Sequence, residues 1–184
     1  MSSIITVSEA KEYLGITDAT YDDVLDALCE GYSDLVRSLC GREFDYDTYS
    51  EKIDIYDEQT DTVVVRETPL HSVVALTDNG NAVSTDEYLV NETEGSIKLK
   101  SGVFTYGYGK VEVTYVAGYT PSYPDGLKLL VKILVAEDFN MRSHHGMSSE
   151  KIGDYSLTLR VRRKGEYLPP QAQILIEQYK RMIL

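Results

Sequence analysis

The spacing of apolar residues changes twice along this chain, and those two changes bound what it can fold into. Up to residue 44, and again from residue 121, apolar side chains recur every three or four positions, the period of a helix. Between residues 45 and 120 they alternate, the period of a strand. Helix and strand patterns that segregate into blocks argue α+β rather than alternating α/β. The expected architecture is a helical bundle frame of about four helices with an inserted small antiparallel β unit. The frame takes residues 1–44 plus 121–184, including an arm at 146–166, and the insertion takes 45–120. At 184 residues the chain has the length of about one domain and can bury a proper core.

Local signals set the elements. Thr6-Val7-Ser8-Glu9 reads as a capping box opening a short helix that stops at Gly15. Thr20-Tyr21-Asp22-Asp23 opens a longer one, with acids favourably placed in its first turn and Gly41 as C-cap. Its apolar face is Val24, Leu25, Leu28, Tyr32, Leu35, Val36 and Leu39. In the alternating block, Ser72–Thr77 runs into Asp78-Asn79-Gly80-Asn81, a strong turn signal. Tyr88–Val90 and Ser96–Leu99 flank Glu94-Gly95 as a second hairpin, and Lys110–Val116 is the clearest strand. About five or six strands are expected in all. Asp125 then opens a helix to Arg142, and Pro169-Pro170 opens the last.

Composition excludes several classes. The formal charge is −12, which keeps a protein soluble and off nucleic acid over its general surface. The charge is uneven: residues 1–44 carry −6, 45–120 carry −9 and 121–184 carry +3. An acidic body with a basic C-terminal third suits head-to-tail contact between copies. No apolar run approaches the roughly 18 residues needed to cross a bilayer, so no membrane partner is expected. Residues 1–6 lack the basic and apolar regions of a secretory signal. Cys29 and Cys40 fall three turns apart on one helix, too far to pair, and read as buried thiols.

No constellation for catalysis stands out. His144-His145, with Asp138 and Glu150 nearby, points its rings in different directions and reads as a polar helix end. The 30 acids make chance carboxylate pairs certain, and nothing fixes one at a glycosidase separation. Ser148-Ser149 lacks the Gly-x-Ser-x-Gly frame. Gly107-Tyr108-Gly109 lacks the spacing of a phosphate loop and reads as a bend before the strand at Lys110. Phe104-Thr105-Tyr106-Gly107-Tyr108 reads as core or interface packing, its acidic surroundings disfavouring a base-stacking platform. The expectation is no enzyme, no metal and no cofactor.

The arm stands out instead. Ser148 to Leu159 is polar, turns at Gly153, then alternates, and Arg160-Val161-Arg162-Arg163-Lys164 follows as the one dense basic cluster. The cluster reads as a solvated face, a dock for an acidic neighbour or a phosphate contact. The 15 tyrosines, against three Phe and no Trp, suit protein interfaces or a half-exposed sheet.

In order along the chain, Ile5–Leu14, Leu39-Cys40-Gly41-Arg42-Glu43-Phe44, Val111–Tyr119 with Pro124 and Leu127-Lys128, and Ser149–Ser156 resemble segments of the head–tail connector, or adaptor, proteins of tailed bacteriophages. The β region makes this chain similar to the family's longer members. The resemblance implies a structural virion protein at the head–tail junction, encoded by a phage or prophage and made in the host bacterial cytoplasm. It implies a ring of about a dozen subunits that binds the portal, extends the DNA channel without gripping DNA, and docks the next neck or tail-completion protein. The alternatives are another neck component, a stopper or tail-completion protein, and a small hydrolase or metal enzyme. Within the connector reading, Ile152, Gly153, Asp154, Tyr155, Leu157, Leu159, Arg160, Arg162 and Arg163 of the arm are expected at the subunit interface. Tyr179, Arg181, Met182, Ile183 and Leu184 of the C-terminal helix are expected to dock on the portal.

Overall fold

The computed structural model describes residues 2–142, 149–152, 155–158 and 168–180. These fall into two compact units, one spanning Gly41–Tyr123 and one combining Ser2–Cys40 with Pro124–Lys180.

The second unit is helical. Helix α1 (Val7–Leu14) begins at Thr6, whose hydroxyl oxygen accepts the Glu9 N–H at 3.2 Å while the Glu9 carboxylate accepts the Thr6 N–H at 2.9 Å. Helix α2 (Asp22–Cys40) buries Leu25, Cys29, Val36 and Cys40 along one line. Helix α3 (Asp125–Met141) is the centre: Leu127, Leu130, Val131, Leu134 and Val135 are all buried, and α1, α2 and α4 (Pro170–Tyr179) each pack on it. Burying each such side chain stabilises by about 1.5–3 kcal/mol over leaving it exposed. Lys128 of α3 reaches Glu9 of α1 at 2.9 Å, and Tyr21 meets Phe139 edge to face at 5.4 Å beneath the Arg142 guanidinium.

The first unit holds seven strands in two antiparallel sheets. They are β1 (Asp47–Ile55), β2 (Thr62–Val64), β3 (Leu70–Asp78), β4 (Asn81–Ala82), β5 (Tyr88–Asn91), β6 (Ser96–Leu99) and β7 (Gly107–Ala117). The order is β1-β7-β3-β4 in one sheet and β2-β6-β5 in the other. Strand β7 is the spine, with Val111, Val113, Tyr115 and Ala117 turned into the core. Asn79-Gly80 closes the β3–β4 hairpin with φ of 48° and 80°, the paired positive values that a two-residue turn needs. Gly118, at φ 107°, lets two strand ends meet: a Cβ there would lie 2.0 Å from the Asp45 carbonyl oxygen.

The expected helical bundle frame does not form; the described residues are mixed α+β, with four α-helices, the two antiparallel sheets above and a separate two-stranded ribbon. Helices of 8, 19, 17 and 10 residues cannot share one seam along their lengths, so they cluster on α3 instead. The strand region is not a small appendage to them either, since twelve buried residues give it a core of its own. Periodicity reveals that a helix exists but not how several helices array. The apolar face of α2 read by period is only partly buried, with Val24 and Leu35 43% and 39% exposed.

Candidate assembly surfaces

The arm contributes two short strands, β8 (Ser149–Ile152) and β9 (Tyr155–Thr158). They pair antiparallel with each other, Ile152 opposite Tyr155 and Ser149 opposite Thr158, as a two-stranded sheet of their own. Of the expected interface residues, Ile152, Tyr155 and Leu157 therefore sit on this ribbon. Gly153, Asp154, Leu159, Arg160, Arg162 and Arg163 lie outside the described residues.

At the C-terminal end, Tyr179 closes α4. Its ring packs toward the first turn of α3, where a Cβ on Gly126 would come within 2.6 Å of the Tyr179 hydroxyl. Tyr179 is thus half-buried within its own unit, while Ile174 of the same helix is well exposed. Arg181, Met182, Ile183 and Leu184 lie outside the described residues, as do His144 and His145.

Sequence reasoning missed a buried polar cluster in the sheet unit. Glu67, between β2 and β3, is only 4% exposed. Its carboxylate accepts the Glu43 N–H at 2.7 Å, with the Arg42 guanidinium at 4.0 Å. The Glu67 N–H donates to the Tyr115 hydroxyl at 3.2 Å, and that hydroxyl donates to Glu51 at 2.8 Å. Arg42 also donates to the side chain and carbonyl of Thr68. Burial pushes the Glu67 carboxyl up to about 7, against the pull of the Glu43 N–H and the Arg42 charge. Burial likewise raises the Tyr115 and Tyr49 hydroxyls. The signal available in the sequence was an acid flanked by Arg66 and Thr68-Pro69, which nothing separates from an exposed one.

One end of the four-stranded sheet carries aromatic surface. Phe104 goes into the core, but Tyr106 and Tyr108 point outward, and Tyr108 meets the exposed Tyr56 edge to face at 5.8 Å. The Gly107-Tyr108-Gly109 bend serves this tip, with the Gly109 N–H donating to Asp54 at 2.6 Å. Exposed tyrosines of this kind present apolar area with a polar edge, which is what protein interfaces use. Among the described residues no group of three or more His, Cys, Asp or Glu could hold a metal, and no helix is long and apolar enough to cross a membrane.

Comparison with solved structures finds the same fold in a gene transfer agent particle. The chain is similar to one in the virion of a native gene transfer agent, with TM-score 0.62 at 16% identity, covering 98% of this chain and 91% of that one. It matches equally a chain in the neck of an empty gene transfer agent particle computed with C6 symmetry, at TM-score 0.62 and 16% identity over the same shares. A chain in the neck of the native particle computed with C12 symmetry matches at TM-score 0.58 and 15% identity, over 100% of this chain and 96% of that one. No curated protein matches the sequence. At 15–16% identity these likenesses define the fold, one that this chain shares with chains of a virion and of its neck. The chain belongs to the head completion protein family, which its sequence matches over residues 3–182. That membership favours neither a stopper or tail-completion protein nor a small hydrolase.

Proposed function

We propose that this protein forms a closed ring at the head–tail junction, seated on the portal, where it prolongs the DNA channel and receives the next neck protein. The observation that carries the reading is the family match over nearly the whole chain, joined to a fold likeness to neck chains of particles computed with C6 and C12 symmetry. The ring holds about a dozen copies, related head to tail so that rotation closes the set. The protein does no chemistry of its own. Its acidic composition lets DNA slide past a wall that repels it.

The arm joins neighbouring copies. A two-stranded ribbon alone is marginal in water, and β8–β9 adjoins no further strand among the described residues. Strand addition or packing on a neighbouring subunit supplies the missing support. Ile152, Tyr155, Leu157 and Leu159 are its apolar anchors, Gly153-Asp154 joins its strands, and Arg160, Arg162 and Arg163 meet acids of the next copy. The C-terminal residues Tyr179, Arg181, Met182, Ile183 and Leu184 dock on the portal, Tyr179 by way of the helix it already braces.

Deleting residues 180–184 tests the portal assignment. The truncated protein keeps its circular dichroism and loses portal binding; normal attachment removes the assignment. Tyr155→Asp tests the arm: it keeps the fold and stops oligomers, and undiminished rings count against the arm.

A further inference from the structure

We propose that the open edge of β1 receives β9 of the adjacent copy by strand addition, so that the arm's ribbon extends the neighbour's four-stranded sheet. The proposal rests on the ring reading above and deepens it by naming the edge and the strand that meet.

The edge of a sheet presents unpaired N–H and C=O groups, and folded chains blunt most such edges. Here β2, β4 and β5 are short, with 3, 2 and 4 residues. The part of β3 that β4 leaves uncovered, residues 70–75, is broken by two register shifts against β7, between Leu70 and Ser72 and between Val73 and Ala75. Bulges of this kind twist an edge away from further pairing. Strand β1 differs on both counts. It runs nine residues at the border of its sheet, and residues 47–53 keep one unbroken register with β7.

The ladder shows which groups of β1 are open. The Asn79 N–H donates to the Lys110 carbonyl, so β7 turns Lys110, Glu112 and Thr114 toward β3, and Val111, Val113 and Tyr115 toward β1. The partners of those last three, Ile53, Glu51 and Tyr49, hold the ladder. The alternate residues Thr48, Ser50 and Lys52 turn their N–H and C=O groups off the sheet, and all three are exposed. The Thr48 N–H is met by the neighbouring Asp47 carboxylate at 2.7 Å, as an outward N–H would be.

Charges often guard an edge, but those of β1 are engaged within the chain. Glu51 accepts the Arg66 N–H at 2.7 Å and the Tyr115 hydroxyl at 2.8 Å. Lys52 pairs with Glu112 of β7, and Asp54 accepts the Gly109 N–H at 2.6 Å.

The occupant is the ribbon of a second copy. Among the described residues β8 and β9 pair only with each other, and two strands alone are marginal in water. The ribbon lacks a third strand, and β1 lacks a second neighbour. Of the ribbon's strands, β8 carries Glu150 and Lys151, residues that discourage edge pairing. Strand β9, Tyr155-Ser156-Leu157-Thr158, is uncharged and includes Tyr and Thr, which favour strands. Its four residues fit within the regular stretch of β1. Main-chain hydrogen bonds carry such a contact, so it needs no pocket.

Proline separates this contact from the fold. Ser50→Pro removes an N–H that faces away from β7, so circular dichroism and melting are expected to stay close to wild type. Its oligomers, measured with and without portal, are expected to fall by roughly tenfold or more. Ser50→Ala, which deletes only the hydroxyl contact to Thr114, is expected to assemble as wild type. Disulfide trapping identifies the arriving strand. A chain carrying Ser50→Cys is mixed under mild oxidant with one carrying Ser156→Cys or Leu157→Cys, successive positions that sample both faces of β9. Cys29 and Cys40 are buried and stay in place. One of these pairs is expected to form the heterodimer roughly tenfold or more faster than Val74→Cys, exposed on β3, does with the same partners, because contact raises the effective thiol concentration. Rates no faster than the Val74→Cys control, with and without portal, overturn the proposal. So does a chain carrying both cysteines that, diluted into wild type, closes its disulfide only within itself. Fast trapping with a native mass that never reaches a closed set removes the ring and leaves this contact standing. Closed rings built from Ser50→Pro chains remove the contact and leave the ring.

Discussion

The helical unit and the sheet unit both bury polar groups, but of different kinds. In the helical unit the buried pair is Ser33 and Arg37. The Ser33 hydroxyl donates to the Cys29 carbonyl at 2.6 Å and accepts the Ile4 N–H at 2.9 Å, while Arg37 donates to the Ser2 carbonyl at 2.6 Å. The Ser33 hydroxyl does not ionise at ordinary pH, so its hold on the Ile4 N–H is the same on either side of neutrality. In the sheet unit the buried group is Glu67, whose proton comes and goes near neutrality. The difference teaches that solution conditions reach the two units unequally. The sheet core is the one that carries a fully buried group responding to pH near neutrality.

Core truncation gives the largest effect and does not discriminate. Leu130→Ala in α3 and Phe104→Ala in the sheet unit should each cost about 2–5 kcal/mol, since both side chains are fully buried and leave cavities. Urea unfolding measures this, and a loss below about 1 kcal/mol at either site would contradict the assigned core. Next comes Ser33→Ala, which strands the buried Ile4 N–H at a cost of about 1–3 kcal/mol. That loss should be the same at pH 5 and pH 8; a loss that changed with pH would break the contrast.

Glu67→Gln sharpens it. The folded carboxyl titrates near 7 and the unfolded one near 4.5, so between those values the folded state holds a proton that the unfolded chain has released. Stability from this group is therefore complete below about 4.5, declines as pH rises, and is gone above about 7. Wild-type melting temperature should fall across that window, and the Gln variant, which can still accept the Glu43 N–H, should lose that part of the slope. An identical slope in both proteins would remove Glu67 as its source. The smallest effect is expected from Lys52→Ala, which deletes the exposed Lys52–Glu112 pair across β1 and β7 and should cost about 0.2–1 kcal/mol, less in high salt.

Much of the local structure was legible. The capping box at Thr6 and Glu9, the turn at Asn79-Gly80 and the alternation of β7 are each written in a few adjacent residues, and each formed as read. What was not legible depends on partners far away in the chain. Strand β1 pairs with β7, Asp47 opposite Ala117, and no local pattern announces that. Glu67 is buried because Tyr115, Arg42 and Glu43 surround it, and its own neighbours in sequence do not say so. Val24 and Leu35 fit a helical apolar face by period, yet α3 packs on a different arc of α2. The surfaces followed the same rule. Strand β9 was readable from its alternation, whereas β8, which falls in a stretch read only as polar, was not; nor was the exposure of Tyr56, Tyr106 and Tyr108, because alternation alone does not tell which face meets water.

The measurement that bears most directly on the account is the native mass of the full chain, taken over a wide concentration range with and without portal. The account predicts a closed set of about a dozen copies, on the portal if not in free solution. A protein that stays monomeric at every concentration and leaves the portal bare would contradict it.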